Sequence, residues 1–302
     1  VNKLLKNMVE VVEIKDSKYP KALKEALGYL VVSQGPKKIY YKGTWSDEIF
    51  QNCLAVVGSR HLTHYGRQAT EKIVTECAAA GITVVSGFMY GGDEAAHSAC
   101  VKAGGKTIAV MPCGIDLIFP PEQKDLYNKI VKTGLVISEY PEGFKPVNYS
   151  FVQRDRIVAG LCKAVLVTEA ALESGSLITA GYAKKFGRKI FAIPGPITSE
   201  VSKGTIKLIK EGAEPVTEAK DILEFFKILP SVKNSTRHNA AALGAVEGSL
   251  EQRIIDQLSR EPMKADEMAR MFAVPVAQLG TTLSLLQLKG FIGLANGKYF
   301  LN

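Results

Sequence analysis

The middle of the chain alternates short apolar runs with longer stretches in which apolar positions recur at helical spacing. "CLAVV" (Cys53 to Val57), "ITVVS" (Ile82 to Ser86), "TIAVM" (Thr107 to Met111), "LVIS" (Leu135 to Ser138), "AVLVT" (Ala164 to Thr168) and "IFAIP" (Ile190 to Pro194) are rich in β-branched residues and free of charge. A run without polar alternation reads as a strand buried on both faces, as in a parallel sheet covered by helices on either side. The intervening stretches are long enough for crossover helices. The pattern therefore predicts an α/β protein with a doubly wound, mostly parallel, Rossmann-like sheet.

Several runs end in small or polar residues: Gly58-Ser59-Arg60, Ser86-Gly87, Pro112-Cys113-Gly114, Ser138-Glu139 and Glu169. Ligands of open α/β sheets bind in the crevice outside the carboxyl ends of the strands, so these residues are the first place to look for function. The stretch "CLAVVGSRHLTHYG" is the most pointed. A strand, a glycine turn and a helix N-terminus make a ready anion site, yet the G-x-G-x-x-G fingerprint of dinucleotide binding is absent. Gly58-Ser59-Arg60 stands in its place, which suits a phosphate gripped from the side by a guanidinium.

The flanks carry other patterns. Residues 1–48 form a lead-in whose "GPKKIYYKGTW" (Gly35 to Trp45) predicts a short aromatic strand and turn packed on the core domain, 49–228. Residues 229–248 are rich in Ser, Asn, Ala and Gly without periodicity and read as a linker. In 249–302, "SLEQRIIDQLSREP" predicts a helix with Ile254, Ile255 and Leu258 inward; "KADEMARMF" and "VAQLGTTLSLLQLKGF" predict two more. "FIGLANGKYFL" predicts a hairpin with a type I′ turn at Asn296-Gly297. Three helices and a hairpin describe a small C-terminal winged-helix domain. Its third helix has only Lys289 as a cation, so a protein-binding role is expected ahead of DNA binding.

Composition narrows the function classes. With 302 residues, 46% of them hydrophobic, the chain can bury more than one core, and its net charge of +8 favours a polyanionic partner. Five cysteines without a C-x-x-C pair argue for reduced thiols and a cytoplasmic protein. No apolar span approaches about 18 residues, so no membrane association is expected. "DEAAH" (Asp93 to His97) resembles the zinc-protease H-E-x-x-H but supplies one imidazole where that motif needs two. Asp93 is expected to cap a helix and His97 to pack against the sheet. With four histidines and no Ser-His-Asp arrangement, the sequence predicts neither catalytic residues, metal nor cofactor.

Seven stretches occur in an order that resembles the DNA-processing protein A family (DprA, also called Smf). They are "VGSRHLTHYG", "SGFMYGGDEAAH", "GGKTIAVMPCGIDLIFPPE", "GLVISEYPEG", "FVQRDRIVAGL", "SGSLITAGYAKKFGRKIFAIPG" and "LIKEGA", spanning about 55 to 225. The resemblance implies a non-enzymatic, single-stranded DNA-binding recombination mediator that protects incoming DNA and loads the RecA recombinase in natural transformation. It also implies a homodimer formed through the sheet domain. Three departures stand out: Gly91-Gly92-Asp93 where the family usually has Gly-Ile-Asp, Phe151-Val152 for Phe-Pro, and Arg154-Asp155-Arg156 for Arg-Asn-Arg. The last puts a carboxylate between two arginines of a loop expected to face DNA. Either Asp155 points inward and orients the arginines, or it weakens DNA binding.

On this basis Arg60, Lys145, Arg154 and Arg156 are candidate phosphate ligands, whose contacts would make binding fall with salt. Arg60 in isolation would read as half of a surface salt bridge; its place beside a strand end and a helix start favours phosphate. Phe151 alone would read as core, and the resemblance assigns it to base stacking. Ser174, Gly175 and Ser176 precede a helix and form a small-residue nest able to donate to a phosphate while also capping that helix. Gly58, Ser59, Gly114 and Asn148 complete the DNA-facing set. A nucleotide-hydrolysing enzyme of the phosphoribohydrolase type is the alternative. That class needs a glutamate on the helix here opened by "LITAG" (Leu177 to Gly181), which has no carboxylate.

Overall fold

In a computed structural model of the protein, which describes residues 9–30, 35–228, 249–295 and 297–301, all six apolar runs are strands. The lead-in supplies β1 (Glu10–Glu13), α1 (Lys21–Leu27) and β2 (Lys38–Gly43). There follow β3 (Cys53–Val57), α2 (His64–Ala79), β4 (Thr83–Ser86), α3 (Gly92–Lys102), β5 (Thr107–Val110), α4 (Lys124–Thr133) and β6 (Leu135–Ser138). The second half of the winding is α5 (Asn148–Leu161), β7 (Ala164–Val167), α6 (Ser176–Lys185), β8 (Lys189–Ala192), α7 (Lys203–Lys210), β9 (Glu214–Pro215) and α8 (Ala219–Phe225). Strand ends differ from the apolar runs by a residue or two, because a run continues past the last ladder hydrogen bond into the loop it feeds.

The nine strands form one sheet in the order β1-β2-β6-β5-β4-β3-β7-β8-β9. All pairings from β6 to β9 are parallel, while β2 joins β6, and β1 joins β2, antiparallel. The aromatic strand of the lead-in is thus an extension of the main sheet. The chain winds outward from β3 to β6 and then returns to β7 on the other side of β3, pairing Leu54 with Ala164 and Val57 with Val167. Order reverses between β3 and β7, and the loops leaving these two strands diverge there to open a crevice.

Burial on both faces explains the lack of alternation in these strands. Cys53, Ala55 and Val57 pack with Leu23 of α1, Ile157 and Leu161 of α5 and Ala183 of α6. Leu54 and Val56 point the other way, into a cluster with Val74 and Cys77 of α2, Ala96 and Cys100 of α3 and Ile222 of α8. Side chains of successive strand residues leave on opposite faces, so one short apolar run serves two cores.

The chain divides into two compact units, Val1–Ser231 and Val232–Asn302. The second contains α9 (Leu250–Leu258), α10 (Ala265–Phe272), α11 (Val276–Leu288) and a hairpin of β10 (Ile292–Ala295) and β11 (Lys298–Leu301). This is a winged helix. Ile254, Ile255 and Leu258 are buried as the spacing predicts, against Met268, Leu279, Leu283 and Ile292. Gly297 has the positive φ of 72° that a two-residue hairpin turn requires. Its neighbour Asn296 and the 229–248 stretch lie outside the described residues. Among the described residues no single helix is long and apolar enough to cross a membrane.

Candidate nucleic-acid interface

A cleft of about 590 Å³ occupies the crevice where strand order reverses. Gly58, Ser59 and Arg60 enter it from β3, Phe151 and Asp155 from α5, and the Ser174–Ser176 segment from the far wall. Arg60 is exposed and forms no ion pair among the described residues. Its guanidinium carbon lies 5.5 Å from the centroid of the Phe151 ring. The ring is half-buried, packed edge-on against Phe119 at 5.8 Å. Glycine at 58 is a packing requirement: a Cβ there would collide with the Thr168 hydroxyl, and one at Gly92 would come within 2.6 Å of the Gly58 Cα. The start of α3 can therefore lie directly on the loop after β3.

The N-terminus of α2, expected to receive a phosphate, already holds an anion. Glu169, at the exit of β7, accepts from the Thr63 backbone N–H at 2.8 Å and from the Thr63 hydroxyl at 2.5 Å. Thr63 Oγ1 in turn accepts from the Gly66 N–H at 3.0 Å and caps the helix. The Ser59 N–H donates to the Glu169 carbonyl at 2.7 Å. A buried carboxylate that pairs with the positive end of a helix dipole leaves no room there for an external phosphate. This corrects the sequence-based picture: Ser59 and the helix start shape the wall, and Arg60 alone of the Gly-Ser-Arg triplet extends a free cation.

Two of the arginines are not surface cations. Arg154 is 4% exposed. Its Nη1 donates to the Val110 carbonyl at 2.9 Å and to the Gly87 carbonyl, and its Nε donates to Asp155 Oδ1 at 3.0 Å. It ties α5 to the ends of β4 and β5, and a Cβ on Gly87 would strike it. Arg156, two residues on and so on the other side of the helix, is equally buried and donates from Nη2 to Glu139 Oε2 at 2.6 Å. It does not line the cleft. Arg156 is thus set apart from the cleft, whereas Arg154 lines it with its guanidinium hydrogen-bonded to protein. Their charge is consumed by carboxylates and carbonyls at the sheet's carboxyl edge.

The floor of the cleft is acidic. Asp93 is buried, accepts from the Met89 N–H at 3.2 Å just ahead of α3, and is held above the usual carboxylate range by burial, against the pull of Arg154. Burial likewise pushes Asp155 up to about 6, opposed by Arg154 and by a hydrogen bond from Thr179. One guanidinium thus sits between two carboxylates. Of the two roles open to Asp155, it does orient an arginine, but that arginine is Arg154 alone.

The far wall is polar and open. Ser174 Oγ lies 2.8 Å from Ser176 Oγ, and the Ser176 N–H is 3.4 Å from the Ser174 hydroxyl. Gly175 has an ordinary helical φ of −56°, and a Cβ there would meet nothing within 4 Å. Neither backbone geometry nor packing demands glycine at this position. Thr179 and Ile178 also line the cleft and were missed in the sequence, although Thr179 lies three residues from Ser176 and so on the same helix face. Asn148, the first residue of α5, is exposed at the rim. Lys145 is exposed in the loop before α5 but outside the cleft lining. Gly114 is placed elsewhere: its N–H donates to the Phe144 carbonyl at 2.8 Å, and a Cβ there would come 2.5 Å from the Pro141 carbonyl. It holds the loop after β6 against the exit of β5.

In the "DEAAH" stretch Asp93 lines the cleft and does not cap α3, whose N-cap is Gly91, while His97 packs inside as expected. His97 is fully buried, its Nδ1 lies 2.8 Å from the Thr107 hydroxyl, and burial drives its pKa down to about 3. No group of three His, Cys, Asp or Glu among the described residues could hold a metal ion. All five cysteines are free and buried.

The fold is that of a doubly wound α/β protein with a C-terminal winged helix, and a cleft opens at the carboxyl edge of its sheet. The family model for DNA recombination-mediator protein A matches residues 10–227, and that for the DprA winged helix domain matches residues 238–298. The chain belongs to the DNA recombination-mediator protein A family. The DNA processing protein DprA of Streptococcus pneumoniae is 41% identical over 214 residues, 71% of this chain and 73% of the relative. Protein Smf of Synechocystis is 38% identical over 218 residues, 71% of this chain and 53% of the relative. The chain thus spans about half the length of that relative. Among solved structures, S. pneumoniae DprA aligns with a TM-score of 0.67 at 39% identity, covering 74% of this chain and 76% of that one. Helicobacter pylori DprA, solved for its single-stranded DNA binding mode, aligns with a TM-score of 0.63 at 28% identity, covering 72% and 96%.

Proposed function

We propose that the protein binds single-stranded DNA in this cleft and acts, without catalysing a reaction, as a recombination mediator. In this role it protects incoming strands and loads RecA during natural transformation. The observation that carries the reading is the Arg60–Phe151 pair at the cleft mouth. An exposed cation–π contact contributes about 0.5–1 kcal/mol. A base stacked on the same ring contributes about 1–3 kcal/mol and tolerates any sequence. A base therefore displaces the guanidinium from the ring, and the freed Arg60 turns to the adjoining phosphate. Ser174, Ser176, Asn148 and the open backbone at Gly175 supply further donors along the strand, with Lys145 as a second cation beyond the rim.

The family description and the single-stranded DNA binding of the H. pylori relative support this reading. A homodimer would align two clefts along one strand and raise affinity through effective concentration. Hydrolysis of a mononucleotide is less well supported: of the three cleft carboxylates, Asp93 and Asp155 share Arg154, Glu173 lies ahead of α6, and that helix itself begins without an acid.

Titrating oligo-dT and a duplex of equal length at two salt concentrations tests the proposal. Tighter, salt-sensitive binding of the single strand is expected, with RecA assembling faster on strands carrying the protein. Equal affinity for duplex, or turnover of free mononucleotides, overturns it.

A further inference from the structure

Phe151 and Asp155 are four residues apart on α5, one helical turn, and both line the same cleft. Residues at this spacing share a helix face, with their side chains about 5–6 Å apart at Cβ. A base lying on the Phe151 ring therefore presents an edge toward the Asp155 carboxylate. Asp155 Oδ1 accepts from Arg154 Nε at 3.0 Å, and Thr179 donates a further hydrogen bond. An ionised carboxylate accepts at about four lone-pair sites, so acceptor capacity remains. The side chain is 14% exposed, enough for contact from the cleft.

We infer that Asp155 makes the cleft selective for the edge of the base stacked on Phe151, favouring bases with an exocyclic amino donor, cytosine, guanine and adenine, over thymine. This rests on the single-strand reading above. A carboxylate only accepts, and it matches the cytosine N4 amino group or the adjacent N1 and N2 donors of guanine. Thymine has an imino donor flanked by two carbonyls, which face the carboxylate unfavourably. Asp93 does not substitute, because it lies deeper, accepts from the Met89 N–H and is 7% exposed. Ser174 and Ser176 both donate and accept, so they do not discriminate. Glu173, the third carboxylate of the cleft lining, lies on the Ser174–Ser176 wall and not on α5 beside Phe151. The side-chain amide of an asparagine at 155 would both donate and accept, so the selectivity belongs to the aspartate.

The test uses the full chain at pH 7.5, with oligo-dC and oligo-dT of one length bound to the parent protein and to Asp155→Asn. A hydrogen bond to a charged group is worth about 1.5–3 kcal/mol, so the parent should prefer oligo-dC by about tenfold or more. Asp155→Asn should bring the two affinities within about twofold, chiefly by tightening oligo-dT. A parent that binds both tightly and equally overturns the selectivity and leaves single-strand binding standing. So does a preference that persists in a folded Asp155→Asn. A parent that binds neither oligonucleotide overturns the functional reading itself, and the selectivity with it.

Discussion

The Arg60 guanidinium lies over the Phe151 ring at 5.5 Å, joining the loop after β3 to the first turn of α5 across the mouth of the cleft. The contact holds the cation of the Gly-Ser-Arg triplet beside the half-buried Phe151 ring that lines the cleft. Arg60→Ala is expected to weaken binding to single strands of any sequence. It should also flatten the dependence of log K on log salt by about one phosphate contact. A folded variant whose salt slope equals the parent's would remove Arg60 from the phosphate ligands.

Phe151 separates a stacking platform from a merely basic surface. Phe151→Ala should cost about 1–3 kcal/mol of affinity for oligo-dT, while Tyr or Trp should keep most of it because the π face survives. The salt slope should stay at the parental value. A fully buried ring truncated to alanine costs about 3–5 kcal/mol of folding stability, and this half-buried ring should cost less. Thermal midpoints measured alongside affinities decide the matter. Affinity lost only in proportion to unfolding would return Phe151 to the core.

Arg156 should behave in the opposite way to Arg60. Arg156→Ala leaves Glu139 buried without its partner, and breaking a buried pair on one side costs about 3–5 kcal/mol. Chemical denaturation should show this loss, while the folded protein keeps the parental salt slope. A stable variant with a shallower slope would place Arg156 on DNA after all.

Asp155 gives the protein a pH signature. Its proton is held more tightly in the folded protein, up to about 6, than in the unfolded chain, where a carboxylate titrates near 4. Stability from this group is therefore fully present below about pH 4 and lost as pH rises through about 6. Asp155→Asn keeps an acceptor for Arg154 and leaves that guanidinium balanced by Asp93, so it should gain stability relative to the parent between pH 5 and 7.5. The groups facing Asp155 are Arg154 on its own helix and Asp93 on α3, with Arg60 acting on Asp93 from the mouth. Oligo-dT affinity of the parent should rise from pH 7.5 to 5.5 beyond any rise in Asp155→Asn. Parallel profiles for the two proteins would show that Asp155 does not titrate in this range.

The sequence by itself determined the framework. Uncharged β-branched runs specify strands covered on both sides, because only a sheet between two helix layers can bury every side chain of "CLAVV" or "AVLVT". The same runs located the crevice, since the ligand side of such a sheet is fixed by where its strands end. Spacing likewise placed Ile254, Ile255 and Leu258 in the core of the winged helix. The tertiary structure decided which charges remain available. α5 buries residues on more than one face, among them Arg154, Arg156 and Val158, so its periodicity does not reveal that two arginines point into protein. Their partners, Gly87, Val110 and Glu139, lie 67, 44 and 17 residues away. Glu169 reaches the α2 N-terminus from 106 residues along the chain and fills the anion site that the local sequence offers. A strand is specified by neighbours that the chain places in order, but the pairing of a buried charge depends on which distant loops the sheet brings to the same edge.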